Sequence, residues 1–248
     1  MEKQIAVVTG GANGIGLGIT RALLEAGYNV AMFDINSEAI AQAQEALSVH
    51  SDALMGVGMD VTAGEAVQAG VEQVTEKWKT PDILINNAGI ARDKRITKMT
   101  EEDWDFVINV NLKSQFLCVK AVIPGMIEQK YGRIVNISSR AWLGGFGQAN
   151  YSSAKGGVIS LTRSLAIELA KEGITANAIA PGIVETPLFN TFKQEVKDRL
   201  KASVPVGRIG QPEDIAQAIL LFIGRNSSYI TGQTLYVCGG RSLSSPSV

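Results

Sequence analysis

The chain has 248 residues, 46% of them hydrophobic and 19% charged, with a formal net charge of −1. That balance suits a globular fold with a substantial core and excludes a general electrostatic pull toward nucleic acid or anionic membrane. Cys118 and Cys238 form neither a CxxC pair nor a disulfide framework, and the single histidine, His50, accompanies no HExxH, GxSxG or Cys/His zinc pattern, so no metal site is expected.

In chain order, short β-branched runs alternate with longer helical patterns. Residues 5–8 read as the first strand, followed by a glycine loop and a helix over 15–26. Residues 29–33 form the second strand, closed by Asp34, and Ser37 opens a helix to Leu47. His50 follows in a polar stretch and is placed on the surface. A third strand (53–59), a helix (65–78) and a fourth strand (82–85) come next. A long helix spans 104–128, the fifth strand 133–137, another long helix 150–172 and the sixth strand 175–179. The mixed region 183–208 reads as a substrate lobe, 213–223 as a helix, 234–237 as the last strand and 242–248 as a loose tail. This alternation implies a single-domain (1–248) α/β fold: a Rossmann-like, doubly wound parallel sheet of about seven strands with helices on both faces. Neither an apolar run of membrane-spanning length nor a secretory leader is visible, so a cytoplasmic location is expected.

The first strand runs into Thr9-Gly10-Gly11-Ala12-Asn13-Gly14-Ile15-Gly16. Backbone N–H groups at a helix start attract phosphate, and glycines allow close approach. The spacing is GxxxGxG rather than GxGxxG, and a ligand-free glycine turn is the alternative. Asp34 adds weight, because it ends the second strand where a carboxylate accepts hydrogen bonds from adenosine ribose hydroxyls. The same carboxylate repels a 2′-phosphate. No Lys or Arg stands at Ala12, Asn13, Ile35, Asn36 or Ser37 to neutralise one, so NAD(H) is expected over NADP(H).

Tyr151 and Lys155 are four apart and share a helix face. Ser138 and Ser139 end the fifth strand, and strand C-termini are where open α/β sheets build sites.

With these motifs together, the chain resembles the short-chain dehydrogenase/reductase family over essentially its whole length. Residues 9–16, Asp60-Val61, Asn86-Asn87-Ala88-Gly89, Asn111, Ser139, Tyr151 with Lys155, and Pro181-Gly182 with Thr186 carry the likeness in family order. Stretches 86–93, 147–155 and 229–234 look like bacterial 3-oxoacyl-[acyl-carrier-protein] reductases. The resemblance implies hydride transfer between NAD(H) and a secondary alcohol or ketone, with Tyr151 as acid/base. Lys155 would lower the Tyr151 pKa from its usual value near 10 and hold the nicotinamide ribose, and Asn111 would hold a water in a proton relay to Lys155. Family Ser-to-Tyr spacing points to Ser138, whereas strand register points to Ser139, which is preferred because loops absorb deletions. The resemblance also assigns the cofactor to Gly10, Asn13, Gly14, Ile15, Gly16, Asp34, Ile35, Asp60, Val61, Asn87, Ala88, Gly89, Pro181, Gly182, Val184 and Thr186, besides Tyr151 and Lys155.

The expected substrate wall is Arg140, Trp142, Leu143 and Gln148, with Leu188, Phe189 and Phe192 of the lobe. Arg140 could meet an anion or face solvent. The substrate is a small molecule, either a free or CoA-bound alcohol or a 3-oxoacyl group on carrier protein or CoA. A nucleotide-sensing protein without turnover is a third reading, disfavoured because both Tyr151 and Lys155 are present. The family implies a homotetramer, with Ala154, Gly156 and Gly157 allowing close helix approach.

Overall fold

The computed structural model describes residues 3–243. Its strands are β1 (Ile5–Thr9), β2 (Asn29–Asp34), β3 (Leu54–Gly58), β4 (Ile83–Asn86), β5 (Gly132–Ile137), β6 (Ile174–Pro181) and β7 (Thr234–Val237). They form one seven-stranded sheet in the order β3-β2-β1-β4-β5-β6-β7, with every pairing parallel. The helices are α1 (Gly14–Glu25), α2 (Ser37–Ala46), α3 (Gly64–Lys77), α4 (Glu101–Ile108), α5 (Ser114–Glu128), α6 (Ala149–Leu169), α7 (Pro187–Asn190), α8 (Gln194–Ala202) and α9 (Pro212–Ile223).

Successive strand residues point to opposite faces. Ala6 and Val8 pack under α1, α2 and α9 with Ile19, Leu23, Ile40, Ile215 and Ile219. Ile5 and Val7 pack under α3, α5 and α6 with Val67, Val71, Val122 and Leu165. Both faces are covered, which is why the strands read as apolar runs with little alternation.

The strand order reverses between β1 and β4, and ligands of open α/β sheets bind outside the carboxyl ends there. At that point Asn87 ties two loops together. Its Nδ2 donates to the carbonyls of Thr9 (3.0 Å) and Gly10 (3.1 Å). Thr9 Oγ1 accepts from the backbone N–H of Asn87 and of Ala88, each at 3.0 Å.

The long central helix is not uniform. A π-helical turn, Asn109–Lys113, joins α4 to α5. Asn111 lies in it, fully buried rather than facing solvent. The 101–128 stretch reaches a mean hydropathy of 1.3, long and apolar enough by composition to cross a membrane. Lys113, Lys120 and several polar residues interrupt it, so it is not an uninterrupted apolar run. Here the stretch packs on α3, α6 and the sheet, with Asn111, Ser114 and Gln115 buried.

Other expectations also shift. His50 is half-buried in a short 3₁₀ segment, Ser48–Ala53. Ala154 is fully buried, while Gly156 and Gly157 are half-exposed, and a Cβ on Gly157 would stand 2.7 Å from Leu112. Ser242 and Leu243 are held in a turn, their N–H groups donating to Cys238 Sγ (3.4 Å) and the Gly240 carbonyl (2.9 Å). The rest of the expected tail, 244–248, lies outside the described residues.

Candidate active site

The glycine loop is shaped by its backbone. Gly10 (φ +59°) and Gly14 (φ +51°) occupy the left-handed region. A Cβ at Gly16 would stand 1.8 Å from the Gly10 carbonyl oxygen. Asn13 caps α1, its Oδ1 accepting from the Gly14 N–H at 2.7 Å. A cradle at a helix start that excludes side chains fits a dinucleotide pyrophosphate. Thr186 faces this cradle, its Cγ2 standing 3.6 Å from where a Gly14 Cβ would lie. A cavity of ≈ 260 Å³ opens between them, lined by Asn13, Gly14, Leu17, Thr186 and Pro187 among others. A larger cleft of ≈ 410 Å³ between α3 and α5 touches none of the expected site residues.

Asp34 ends β2 beside the cradle. Its Oδ2 accepts from the Ala12 N–H (3.2 Å) and its Oδ1 from the Asn36 N–H (3.1 Å). Each carboxylate oxygen keeps lone-pair capacity for a hydroxyl donor. Ile15 is half-buried, while Ile35 is 73% exposed and offers apolar surface. Asp60 is exposed, and its Oδ1 accepts from the N–H (2.8 Å) and hydroxyl (2.7 Å) of Thr62; Val61 is buried next to it. Pro181 ends β6, and the Gly182 N–H donates to the Val237 carbonyl at 2.9 Å. Val184 is buried, and Thr186 Oγ1 accepts from the Phe189 N–H at 3.2 Å, capping α7.

Ser139, Tyr151, Lys155, Asn111 and Gly89 converge beyond β4 and β5. The Ser139 hydroxyl stands beside the Tyr151 phenol and lowers its pKa, and its Oγ accepts from the Ala141 N–H at 3.1 Å. Ser138 points elsewhere: buried, it donates from Oγ to the Lys155 carbonyl at 2.7 Å. Lys155 donates from Nζ to the Ile137 carbonyl at 2.9 Å, and its ammonium lies 5.7 Å from the Tyr151 ring centre. A Cβ on Gly89 would come within 2.6 Å of Asn111 Oδ1 and 3.3 Å of Lys155 Nζ. Only glycine leaves that space open.

Burial pushes the Tyr151 phenol above its ordinary value; the Ser139 hydroxyl pulls it down and the Asp93 charge pushes it up. This is opposite to the expected lowering by Lys155. Burial of the phenol itself sets the direction; Lys155 is buried as well, which draws its own pKa down to about 8, and its ammonium donates to the Ile137 carbonyl. Asn111 Nδ2 donates to the Val107 and Ile90 carbonyls (both 2.9 Å), and its Oδ1 accepts from the Ile90 N–H (3.2 Å). Asn111 therefore clamps the 89–90 loop beside Lys155, a role that the family comparison alone does not indicate.

Two site neighbours lie in stretches that carry the family likeness but are not singled out by it as site residues. Asp93 accepts from Gln148 Nε2 at 2.8 Å and bears on the Tyr151 phenol. Asn150 is fully buried; its Nδ2 donates to the Arg92 and Asp103 carbonyls (3.1 Å each), and its Oδ1 accepts from the Tyr151 N–H (2.8 Å). Such contacts link residues distant in sequence, so no local pattern marks them. On the substrate side, Trp142 and Gln148 lie at the surface of the 140–148 loop. Phe189 departs from its expected place in the wall. It is 7% exposed, tucked edge-on to Phe192, which with Leu188 remains exposed.

A doubly wound parallel sheet, a glycine cradle at its switch point and a Ser–Tyr–Lys cluster at neighbouring strand ends define a nucleotide-binding oxidoreductase. The chain belongs to the short-chain dehydrogenase/reductase family: a family model described as enoyl-(acyl carrier protein) reductase matches residues 10–242. It is 44% identical over 243 residues to the (2S)-[(R)-hydroxy(phenyl)methyl]succinyl-CoA dehydrogenase subunit BbsD of Thauera aromatica, covering 98% of each chain. It is 40% identical to the 3-oxoacyl-[acyl-carrier-protein] reductase of Thermotoga maritima, over 97% of this chain and 98% of that one. Among solved structures, a variant of actinorhodin polyketide ketoreductase with NADPH superposes with a TM-score of 0.92 at 35% identity, over 97% of both chains.

Proposed function

We propose that the protein is an NAD(H)-dependent dehydrogenase that interconverts a secondary alcohol and its ketone, acting on a CoA thioester. The cluster of Ser139, Tyr151 and Lys155, with the Lys155 ammonium 5.7 Å from the Tyr151 ring centre and Ser139 beside the phenol, is the observation that carries the reaction class. Bound NAD(H) supplies or accepts the hydride. In reduction the Tyr151 hydroxyl donates its proton to the carbonyl oxygen; in oxidation it takes the proton back. The Ser139 hydroxyl, beside the phenol, would hold the same substrate oxygen. Lys155, near the Tyr151 ring, would meet the nicotinamide ribose hydroxyls, and Asn111 fixes the Gly89–Ile90 loop against it.

Asp34 supports NAD(H): a carboxylate at the end of β2, with no cation at Ala12, Asn13, Ile35, Asn36 or Ser37, disfavours a 2′-phosphate. The thioester part rests on the Thauera relative, whose name describes a hydroxyl-bearing succinyl-CoA. Reduction of a carrier-linked 3-oxoacyl group is the second reading, favoured by the Thermotoga relative. An acidic carrier needs a basic docking face, and Lys130 is already ion-paired with Glu172, which weighs against it. The same proposal takes 1–248 as one catalytic domain with 183–208 as its substrate lobe, a cytoplasmic location, and a homotetramer built on helix faces where Phe106, Phe116 and Ile167 are exposed.

A panel of ketones, 3-oxoacyl thioesters and alcohols assayed with NADH and NADPH tests this reading. CoA thioesters should be turned over with NADH; exclusive turnover of carrier-linked substrates with NADPH would reject it. The two serines give a further test. Ser139→Ala should lower kcat about 10²-fold, the smaller end of what acid–base and orienting groups contribute. Ser138→Ala should keep most activity and lose one buried hydrogen bond, about 1 kcal/mol, or roughly 2–4 °C in Tm. Steady-state kinetics beside thermal unfolding separates them, and the reverse pattern would reassign the serine.

A further inference from the structure

The first turn of a helix leaves backbone N–H groups without intrahelical partners. At the start of α6, which carries Tyr151 and Lys155, the N-cap residue Gln148 supplies no side-chain cap. Asn150, the second residue of the helix, takes that task. Its Oδ1 accepts from the Tyr151 N–H at 2.8 Å. Its Nδ2 donates to the carbonyls of Arg92 and Asp103, at 3.1 Å each. An amide side chain has two donor hydrogens and an acceptor oxygen, so both ends of Asn150 are engaged. The residue is fully buried, and water does not replace these bonds when they are lost.

The three partners belong to three segments that build the site. Arg92 lies in the loop after β4, whose Gly89 and Ile90 stand against Asn111 and Lys155. Asp103 lies in the first turn of α4, the helix that runs into the π-turn holding Asn111. Asp103 is 3% exposed, and its carboxylate accepts from Lys94 Nζ at 2.7 Å and from the N–H (3.1 Å) and hydroxyl (2.8 Å) of Thr100. Tyr151 is the third partner. Asn111 thus fixes the 89–92 loop on the Lys155 side, and Asn150 fixes it on the Tyr151 side. Two further ties join this loop to the start of α6. The Lys94 N–H donates to the Gly147 carbonyl, and Gln148 Nε2 donates to Asp93 Oδ2, both at 2.8 Å. Asp93 and Lys94 are exposed, so water competes for those contacts, whereas the Asn150 ties are shielded.

We propose that Asn150 is a positioning residue for Tyr151. It locks the first turn of α6 onto the loop that borders Lys155, and so sets where the phenol stands. Being fully buried, it acts through Tyr151 rather than on the substrate. A proton donor has to stand at hydrogen-bond distance from its acceptor, and a misplacement of about 1 Å costs on the order of 10²-fold in rate. The same tie makes the loop beside Lys155 and the helix start that carries Tyr151 move as one piece. The inference rests on the reading of Tyr151 as acid/base and deepens it by naming what holds that group in register.

A double-substitution cycle tests this. kcat and KM are measured for the wild type, Asn150→Ala, Tyr151→Phe and the two changes together, with the ketone or 3-oxoacyl thioester of the panel above that is reduced fastest and the nicotinamide cofactor that supports it best. Asn150→Ala should lower kcat about 10–100-fold and leave KM for the cofactor within about 2-fold. On the Tyr151→Phe background the same change should cost less than about 3-fold, because the group it positions is gone. A loss of equal size on both backgrounds, or no loss in Asn150→Ala, overturns the proposal, since a merely structural role lowers the active fraction alike in both. Lys94→Gln removes the ion pair on Asp103 without touching Asn150 and should keep kcat within about 3-fold, as for an exposed pair. A loss as large as that of Asn150→Ala would assign the effect to the whole α4 assembly and also overturn the proposal. If Asn150→Ala does not fold, Asn150→Ser, whose single hydroxyl cannot replace all three bonds, goes through the same cycle with the same expectations. Full activity in Tyr151→Phe rejects the acid/base reading and the positioning role with it, whereas a loss there without coupling to Asn150 rejects the positioning role alone.

Discussion

Tyr151→Phe is expected to lower kcat/KM by about 10³-fold, within the range that a positioned acid–base group contributes. The ring stays and only the hydroxyl goes, so the loss reads proton transfer rather than packing. Stability should change by about 1 kcal/mol at most, the worth of a single polar contact of the hydroxyl. The pH dependence gives the stronger readout. Burial raises the phenol pKa, so oxidation by the wild type, which needs the deprotonated form, should climb into the alkaline range. Reduction, which needs the protonated form, should hold level until the same pH. The variant should lose the alkaline limb in oxidation. Initial rates in both directions across the pH range, with thermal unfolding as control, check this. A limb that survives in the variant would place the base elsewhere.

Lys155→Met is expected to lower kcat about 10²–10³-fold while making the fold more stable. The lysine is 3% exposed, and burial holds its pKa at about 8, below the usual 10.5. Below pH 8 both folded and unfolded chains carry the proton, and the full cost of burying the charge is present. Between 8 and 10.5 the unfolded chain binds more protons, so wild-type stability rises with pH across that window. Methionine fills a similar volume without charge. The Ile137 carbonyl that Lys155 leaves still accepts from Gln115 Nε2 at 3.4 Å. A gain of about 1–3 kcal/mol is expected at pH 6.5, or roughly 2–10 °C in Tm, shrinking toward pH 10. Thermal unfolding at pH 6.5 and 9.5 measures both the sign and the trend. A variant less stable at pH 6.5 would mean that the ammonium is well compensated where it stands.

Much of the fold was legible because both sheet faces are buried and the strands are therefore apolar runs that glycine and polar turns punctuate. Strand ends shifted by one or two residues: β6 continues to Pro181, and β4 begins at Ile83. Periodicity cannot register the π-turn at Asn109–Lys113, since one inserted residue leaves the apolar pattern nearly unchanged. The glycine loop was legible because backbone geometry demands it, and Asp34 from its place at the end of β2, whereas Tyr151 and Lys155 stood out only through the family resemblance, since their spacing alone is common in helices. Charge state was not. The Tyr151 pKa depends on how deeply α6 and the 89–93 loop bury it, which is a property of packing. Phe189 shows the same limit, for an aromatic residue in a lobe reads alike whether it lines a wall or packs beneath one. The contact of Arg140 with the Arg241 carbonyl was invisible because the neighbouring carboxyl ends of β5 and β7 bring together residues far apart in sequence.

The proposed role of Asp34 meets its most direct test in the ratio of kcat/KM for NADH to that for NADPH, measured with one reducible 3-oxoacyl-CoA. A carboxylate facing the ribose, with no cation at the five neighbouring positions, predicts a ratio of at least about 10 in favour of NADH. A ratio of one or below, with NADPH used as well or better, would contradict an NAD(H)-linked dehydrogenase and return the site to a reductase reading.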